Sequence, residues 1–427
     1  MVEAWLTAGE AADRLRVKPA TLYAYVSRGL VRRRTGTDGR RSEYHPGDVA
    51  ALAVRGRRAR QARRSDVVVA TATTAITARG PAYRGRLAIE MAGRIGFEAA
   101  AAWLWDTATE LPWTAPRDQV DAAAAATRHL PDTVGPARRL PLIVAAAALA
   151  DPLRHDLDPS AVIRAGRSII AVAADVLCET IGTGPPPGAG PHPGTGLPTD
   201  AGCRSANHGG DGGTSIATRL ATAIGARPTA DVVGVLDAAL VLLADHELAA
   251  STLAARTAAS ARCDPYAVVL AGLSVVSGSR HGAASRPLEQ VLRDVADGAD
   301  PATALADRAP GRDRIPGFGH PLYPDGDPRG TRLLELLAGG PLRERSAPMD
   351  AVVYAAARRG LPAPTVDAAL AAVGHAAGGV VGSGELLFAV ARIAGWVAHA
   401  LEQYRDPDLL RPRAVYTGPS LPGMPKS

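Results

Sequence analysis

A mainly all-α fold is predicted for this 427-residue chain by three observations. Alanine is very abundant, aromatic residues make up only 4%, and helical spacing of apolar residues runs through about 80–180 and 215–405. Alanine is the strongest helix former, and a shortage of aromatic residues argues against a β-rich core. Hydrophobic content of 47% against 21% charge excludes a wholly disordered chain. At roughly 100–200 residues per domain, the length predicts two or three domains.

Charge divides the chain before any motif does. Residues 1–65 carry 15 Arg or Lys against six Asp or Glu, a net +9, while the remainder carries 33 against 36. A small basic head thus precedes a slightly acidic body. Clustered positive charge is the electrostatic footprint of nucleic-acid binding, although arginine-rich stretches also serve as solvated faces.

Within the head, residues 6–15 read as a short helix with Thr7 as N-cap and Glu10 as its partner three residues on. Pro19 opens a second helix through Thr21, Leu22, Tyr23, Tyr25 and Val26, and Gly29 stops it. Residues 30–35 and 41–45 read as the strands of a basic hairpin around Thr37-Asp38-Gly39. A further helix starts at Pro46 and ends in the basic run 55–64. Helix, tight turn, helix and basic hairpin is the order of a winged helix-turn-helix. Over about 50 residues the head resembles the N-terminal module of MerR-like and excisionase-like proteins. That resemblance implies double-stranded DNA as a partner, with Lys18, Thr21, Tyr23 and Arg28 facing the groove. Arg32, Arg33, Arg34, Arg40 and Arg41 would form the wing. The other reading of the same residues is an accessory domain used as a protein contact, with at least one of Tyr23 and Tyr25 in its core.

Residues 182–214 interrupt the helical pattern with Pro, Gly, Ser and Asp, which predicts a disordered surface insertion. His192, Cys203 and His208 fall inside it at no known metal-ligand spacing, so no metal site is predicted. Cys178, Cys203 and Cys263 are too scattered to suggest a disulfide framework. The start of the chain has neither a basic nor an apolar leader segment, and the longest apolar runs, such as Leu140–Ala150, fall well short of roughly 18 residues. A cytoplasmic protein without a membrane span is therefore expected.

Three histidines sit in distinctive surroundings. His246 lies in Ala244-Asp245-His246-Glu247, followed by Ser251-Thr252; His281 lies in Ser277-Gly278-Ser279-Arg280-His281-Gly282; His320 closes Pro316-Gly317-Phe318-Gly319-His320, ahead of Asp327-Pro328-Arg329. Small flanking residues let another molecule approach the backbone closely. A lone histidine is more often a packed or surface residue, but three such segments near an Asp and several Arg weaken that reading. No P-loop, dinucleotide fingerprint, zinc-protease or nucleophile-elbow motif is present, which removes the commonest nucleotide and hydrolase classes.

These segments, in order, resemble the citrate synthase family over residues 78–418. Tyr83-Arg84-Gly85, the Ala244–Glu247 segment, the His281 segment, Pro316–His320 with Asp327-Pro328-Arg329, Thr365-Val366-Asp367, the stretch 388–396 and Arg411-Pro412-Arg413 all carry the likeness. The resemblance implies a helical body with a large domain interrupted by a small one at about 260–365. It also implies condensation of acetyl-CoA with oxaloacetate and water, giving citrate and CoA. Asp367 would be the base, His281 would donate to the enol or enolate oxygen, and His320 would polarise the oxaloacetate carbonyl. His246, Arg329, Arg392 and Arg411 would hold the substrate, with Arg411 reaching across a homodimer. Arg314, Ile315, Pro316, Gly317, Phe318 and Gly319 would lie against CoA, a co-substrate; no permanently bound cofactor is implied.

The chain departs from the family pattern in places. Gly282-Ala283-Ala284-Ser285 stands where Gly-Gly-Ala-Asn is usual, Arg280 adds a charge beside His281, and Thr365 replaces Asn. Pro324-Asp325 stands where many relatives carry a basic residue near CoA phosphates. A 2-methylcitrate synthase is the alternative among enzymes. A DNA-binding regulator with a metabolite-sensing body is the alternative outside them.

Overall fold

The computed structural model describes residues 5–15, 17–36, 41–50, 52–53, 68–107, 112–131, 133–181, 214–278, 281–308, 315, 317–412 and 414. The expected insertion therefore lies, apart from Thr214, outside the described residues, as do the hairpin turn 37–40 and the basic run 55–64. The chain forms two compact units, Met1–Ala70 with Arg411–Ser427, and Thr71–Leu410.

The first unit contains β1 (Leu6–Thr7), α1 (Ala8–Leu15), α2 (Pro19–Ser27), β2 (Arg33–Thr35) and β3 (Ser42–Tyr44), the strands lying antiparallel in the order β1-β3-β2. The backbone N–H of Thr7 donates to Glu10 at 2.8 Å while Glu10 N–H returns to the Thr7 hydroxyl at 3.3 Å, the reciprocal box its spacing predicts. Gly29 takes a φ of +69°, which is why the chain can leave α2 there. Leu6, Leu15, Leu22, Val31, Tyr44 and Val49 fill a separate small core, with Tyr25 packed against its edge.

The second unit begins with a short antiparallel meander, β4 (Thr74–Thr77), β5 (Gly80–Tyr83) and β6 (Arg86–Leu87), which the all-α expectation does not contain. Helices follow: α3 (Ala88–Met91), α4 (Phe97–Trp105), α5 (Arg117–Thr127), α6 (Pro136–Leu149), α7 (Pro159–Ile181), α8 (Ile216–Ala223), α9 (Ala230–Leu243), α10 (Ala250–Ser260) and α11 (Pro265–Val276). A single 3-10 turn, Gly282–Ser285, leads to α12 (Arg286–Ala296), α13 (Pro301–Arg308), α14 (Pro328–Ala338), α15 (Arg343–Arg358), α16 (Val366–Ala377) and α17 (Ser383–Gln403).

The centre of this unit is α17. Every one of its residues except Glu402 is buried, against helices that include α4, α7, α9, α10, α11 and α16. By length and composition it could cross a membrane, which the sequence reading did not foresee; here the protein's own helices bury it throughout. Small residues let the helices approach: a Cβ on Gly272 of α11 would stand 2.5 Å from the Trp396 ring. Cys178, buried in α7, is disulfide-bonded, whereas Cys263 is free.

Candidate active site

Three loops, the N-termini of α14 and α16 and the middle of α17 carry the predicted chemistry. Gly317 and Gly319 hold φ of +88° and +75°, and the loop they shape is pinned to the segment preceding α16. Thr365 N–H donates to Gly317 O at 2.8 Å and Gly319 N–H to Ala363 O at 3.0 Å, fixing the His320 loop beside the start of α16. Thr365 is the N-cap of that helix, its hydroxyl accepting Asp367 N–H at 3.3 Å. The departure from Asn is therefore locally satisfied. Asp367 Oδ1 is buried and has no hydrogen-bond partner. Burial pushes this carboxyl up to about 6, with Asp327 adding to the effect and Arg329, Thr365 and Arg392 opposing it.

Three imidazoles feel Arg329, as this carboxyl does. Burial first, and then Arg329 and Arg392, hold His246 well below its ordinary value. His281 falls to about 4 for the same reasons, with Arg392 ahead of Arg329. Burial and Arg329 also lower His320, against Asp327. All three are neutral near pH 7. Leu322 N–H donates to His320 Nδ1 at 3.1 Å, so the His320 proton resides on Nε2. His281 Nε2 lies 2.8 Å from the hydroxyl of buried Ser251, and its ring meets Phe388 edge-on at 5.4 Å.

The arginines differ in kind. Arg329 is 3% exposed and spends two N–H groups on Asp327, at 3.0 and 2.8 Å. Arg392, 1% exposed, donates from Nε to Leu243 O at 2.8 Å, while Nη1 and Nη2 have no partner among the described residues. Its guanidinium lies 4.7 Å from the Phe388 ring centre, and burial lowers it to about 10. A buried guanidinium with two free N–H groups is a preformed receptor for a carboxylate.

His246 is thus within electrostatic reach of His281, His320, Arg329 and Arg392, and Asp367 of the same two arginines. Arg411 is exposed and lies beyond the body, which ends at Leu410. Of the expected CoA loop, Arg314 and Pro316 lie outside the described residues; Ile315, Gly317 and Phe318 are buried and Gly319 is exposed.

Sequence reasoning missed Tyr323, whose hydroxyl lies 3.0 Å from His246 Nε2 and whose ring is 5.0 Å from that of His320. Its place three residues after His320, in the same loop, was the available signal. Ser251, five residues after His246, was quoted without a role.

In the first unit, Lys18, Tyr23, Arg28 and Arg33 are exposed and Thr21 is half-buried. Two wing arginines are not free cations, as the wing reading requires. Arg32 pairs with Asp48 at 2.8 Å, and Arg34 pairs with Glu43 at 2.8 Å and lies over Trp5. Carboxylates on β3 and just beyond it neutralise them. Arg41 is exposed, and Arg40 lies outside the described residues.

Residues 64–413 match the family model for the citrate synthase C-terminal domain. The chain belongs to the citrate synthase family. It is 38% identical over 200 residues to citrate synthase of Haloferax volcanii, and 35% over 207 residues to citrate synthase 2 of Bacillus subtilis. These alignments take in 45% and 47% of this chain and span about half the relatives' own length, 52% and 55%. A 2-methylcitrate synthase of Mycobacterium tuberculosis aligns more broadly, at 28% identity over 79% of this chain and 84% of that protein. Among solved structures, Thermoplasma acidophilum citrate synthase, in ternary complex with carboxymethyl coenzyme A and oxaloacetate, superposes with a TM-score of 0.63. At 22% identity, covering 84% of this chain and 95% of that one, this likeness shows a shared citrate synthase fold.

Proposed function

We propose that the chain condenses acetyl-CoA, or a related acyl-CoA, with oxaloacetate, and that water then releases citrate and CoA. The observation that carries this reading is a buried carboxylate and a buried cation, Asp367 Oδ1 and the two Nη groups of Arg392, that no group among the described residues satisfies. Asp367 takes a proton from the acyl α-carbon, and the charge that develops on the thioester oxygen is met by a hydrogen bond from neutral His281. His320 offers Nε2–H to the ketone oxygen of oxaloacetate, making its carbon the electrophile. The enol carbon attacks, and the new alkoxide takes up a proton. Arg392, assisted by Arg329 and His246, holds the dicarboxylate. The Thermoplasma enzyme's complex with a CoA analogue and oxaloacetate supports this substrate pair.

The family likeness further supports a large domain interrupted by a small one over about 260–365, and a homodimer in which Arg411 serves the partner's site. The test is thiol release by full-length protein with oxaloacetate and acetyl-CoA or propionyl-CoA. Release that vanishes in Asp367→Asn supports the reading; no release with either thioester sinks it.

A second activity is favoured by the +9 charge of residues 1–65 and by exposed Lys18, Tyr23, Arg28 and Arg33. In this reading the N-terminal unit is a winged helix-turn-helix that binds double-stranded DNA. A gel shift must weaken as salt rises, because released counterions drive such binding.

A further inference from the structure

A buried polar chain runs along α17, and only its Arg392 end takes part in the chemistry above. Arg392, Gly395, His399 and Glu402 recur at spacings of three and four, so they share one face of α17. Residues 243–245 are stitched to that face in register. Arg392 Nε donates to Leu243 O at 2.8 Å, Gly395 N–H to Ala244 O at 2.9 Å, and His399 Nε2 lies 3.2 Å from Asp245 Oδ2. A Cβ on Gly395 would collide with Asp245, so the glycine is what admits the carboxylate.

The far side of His399 decides its proton. Arg256 Nη1 lies 3.3 Å from His399 Nδ1, and a guanidinium can only donate. Nδ1 therefore accepts, the proton sits on Nε2, and His399 donates to Asp245. Arg256 is itself held by Glu402 at 2.6 Å and Gln403 at 2.8 Å, and Glu402 accepts Thr71 Oγ1 at 2.8 Å and Ala72 N–H at 2.6 Å. His399 and Asp245 are both fully buried. Acidic and basic groups alternate along the chain, Glu402, Arg256, Asp245 and Arg392, with His399 between Arg256 and Asp245. Asp245 balances Arg392 through space without occupying its Nη groups.

We propose that His399, fixed as the Nε2–H tautomer by Arg256, is a positioning residue: it holds Asp245 and the adjoining His246 turn where Arg392 can offer both Nη groups to a dicarboxylate. The inference rests on the condensation reading for its substrate, and on geometry alone for its tautomer.

The test uses full-length protein with His399→Leu, His399→Gln and Asp245→Asn. Losing the hydrogen bond in His399→Leu is expected to raise the KM for oxaloacetate by about tenfold or more, with the KM for acetyl-CoA within about twofold. His399→Gln, whose amide can still donate to Asp245, is expected to recover most of that loss. A merely structural role would lower the yield of folded protein and leave the oxaloacetate KM of the folded fraction unmoved, which overturns the proposal. Imidazole nitrogen NMR on the parent, with the His399 signal assigned by its absence in His399→Gln, is expected to show the proton on Nε2 near pH 7. In Asp245→Asn that signal should shift as its carboxylate partner disappears. A proton on Nδ1, or on both nitrogens, overturns the proposal. If the parent releases no thiol, the condensation reading fails, and the nitrogen spectrum alone decides for or against the His399 assignment.

Discussion

Asp327 grips Arg329 with both carboxylate oxygens, and its Oδ2 also receives Val366 N–H at 3.1 Å. One buried carboxylate thus ties the N-terminus of α14 to that of α16, the helix bearing Asp367. Burial alone would raise Asp327, but Arg329 outweighs it and keeps the carboxyl below its ordinary range. Removing one member of a buried pair leaves the other charge uncompensated, at a cost of about 3–5 kcal/mol. Asp327→Ala should therefore lower stability in urea by that order and weaken oxaloacetate binding together with it. A loss under about 1 kcal/mol would show that Arg329 has another partner.

Asp367 makes activity and stability respond to pH in opposite directions. If Asp367 is the base, as proposed, it must be ionised, so kcat is expected to rise as pH climbs through about 6. Its folded value exceeds the ordinary carboxylate value of 3.8, so between about 4 and 6 the folded state binds more protons than the unfolded chain. The stability linked to its protonated form is present at acid pH and lost as pH rises through about 6. Asp367→Asn should abolish turnover and, near pH 7, stabilise the protein by on the order of 1–2 kcal/mol. Denaturation of parent and variant at pH 5 and 7 checks this; equal pH dependence in both would refute it.

The residues that carry chemistry were legible because their surroundings are local. A histidine next to a glycine, or an Asp two residues into a helix behind a capping Thr, announces itself within a few positions. The residues that support them were not. His399 and Asp245 are 154 positions apart, and Thr71 meets Glu402 across 331, so only the folded core makes them neighbours. The meander β4–β6 escaped notice because its strands run to four residues at most, too short to show alternation. Arg32 and Arg34 read as free cations because nothing in their own segment shows Asp48 and Glu43 folding back onto them.

That pairing predicts unequal roles in the wing. Arg33 is exposed on β2 between two arginines that are already neutralised. If the N-terminal unit binds DNA, Arg33→Ala should lower the slope of log affinity against log salt by about 1, the value for one phosphate contact. Arg32→Ala and Arg34→Ala should change that slope less, because breaking each pair frees a carboxylate as well as removing a cation. Equal slopes for all three variants in a fluorescence anisotropy titration would contradict the assignment.

Arg392 sets function against stability. Its two Nη groups are buried without partners, and an unsatisfied buried donor costs about 1–3 kcal/mol. Burial has already lowered its affinity for its proton to about 10. Asp245 supplies a compensating charge, but that carboxylate is held independently by His399 and by Glu247 N–H at 3.1 Å. Arg392→Met, of similar length and apolar, should therefore abolish oxaloacetate binding in a calorimetric titration while leaving the urea midpoint equal to or above the parent's. A fall of more than about 2 kcal/mol would mean that the guanidinium is structural, its charge needed by Asp245 more than its bare N–H groups are needed by a substrate.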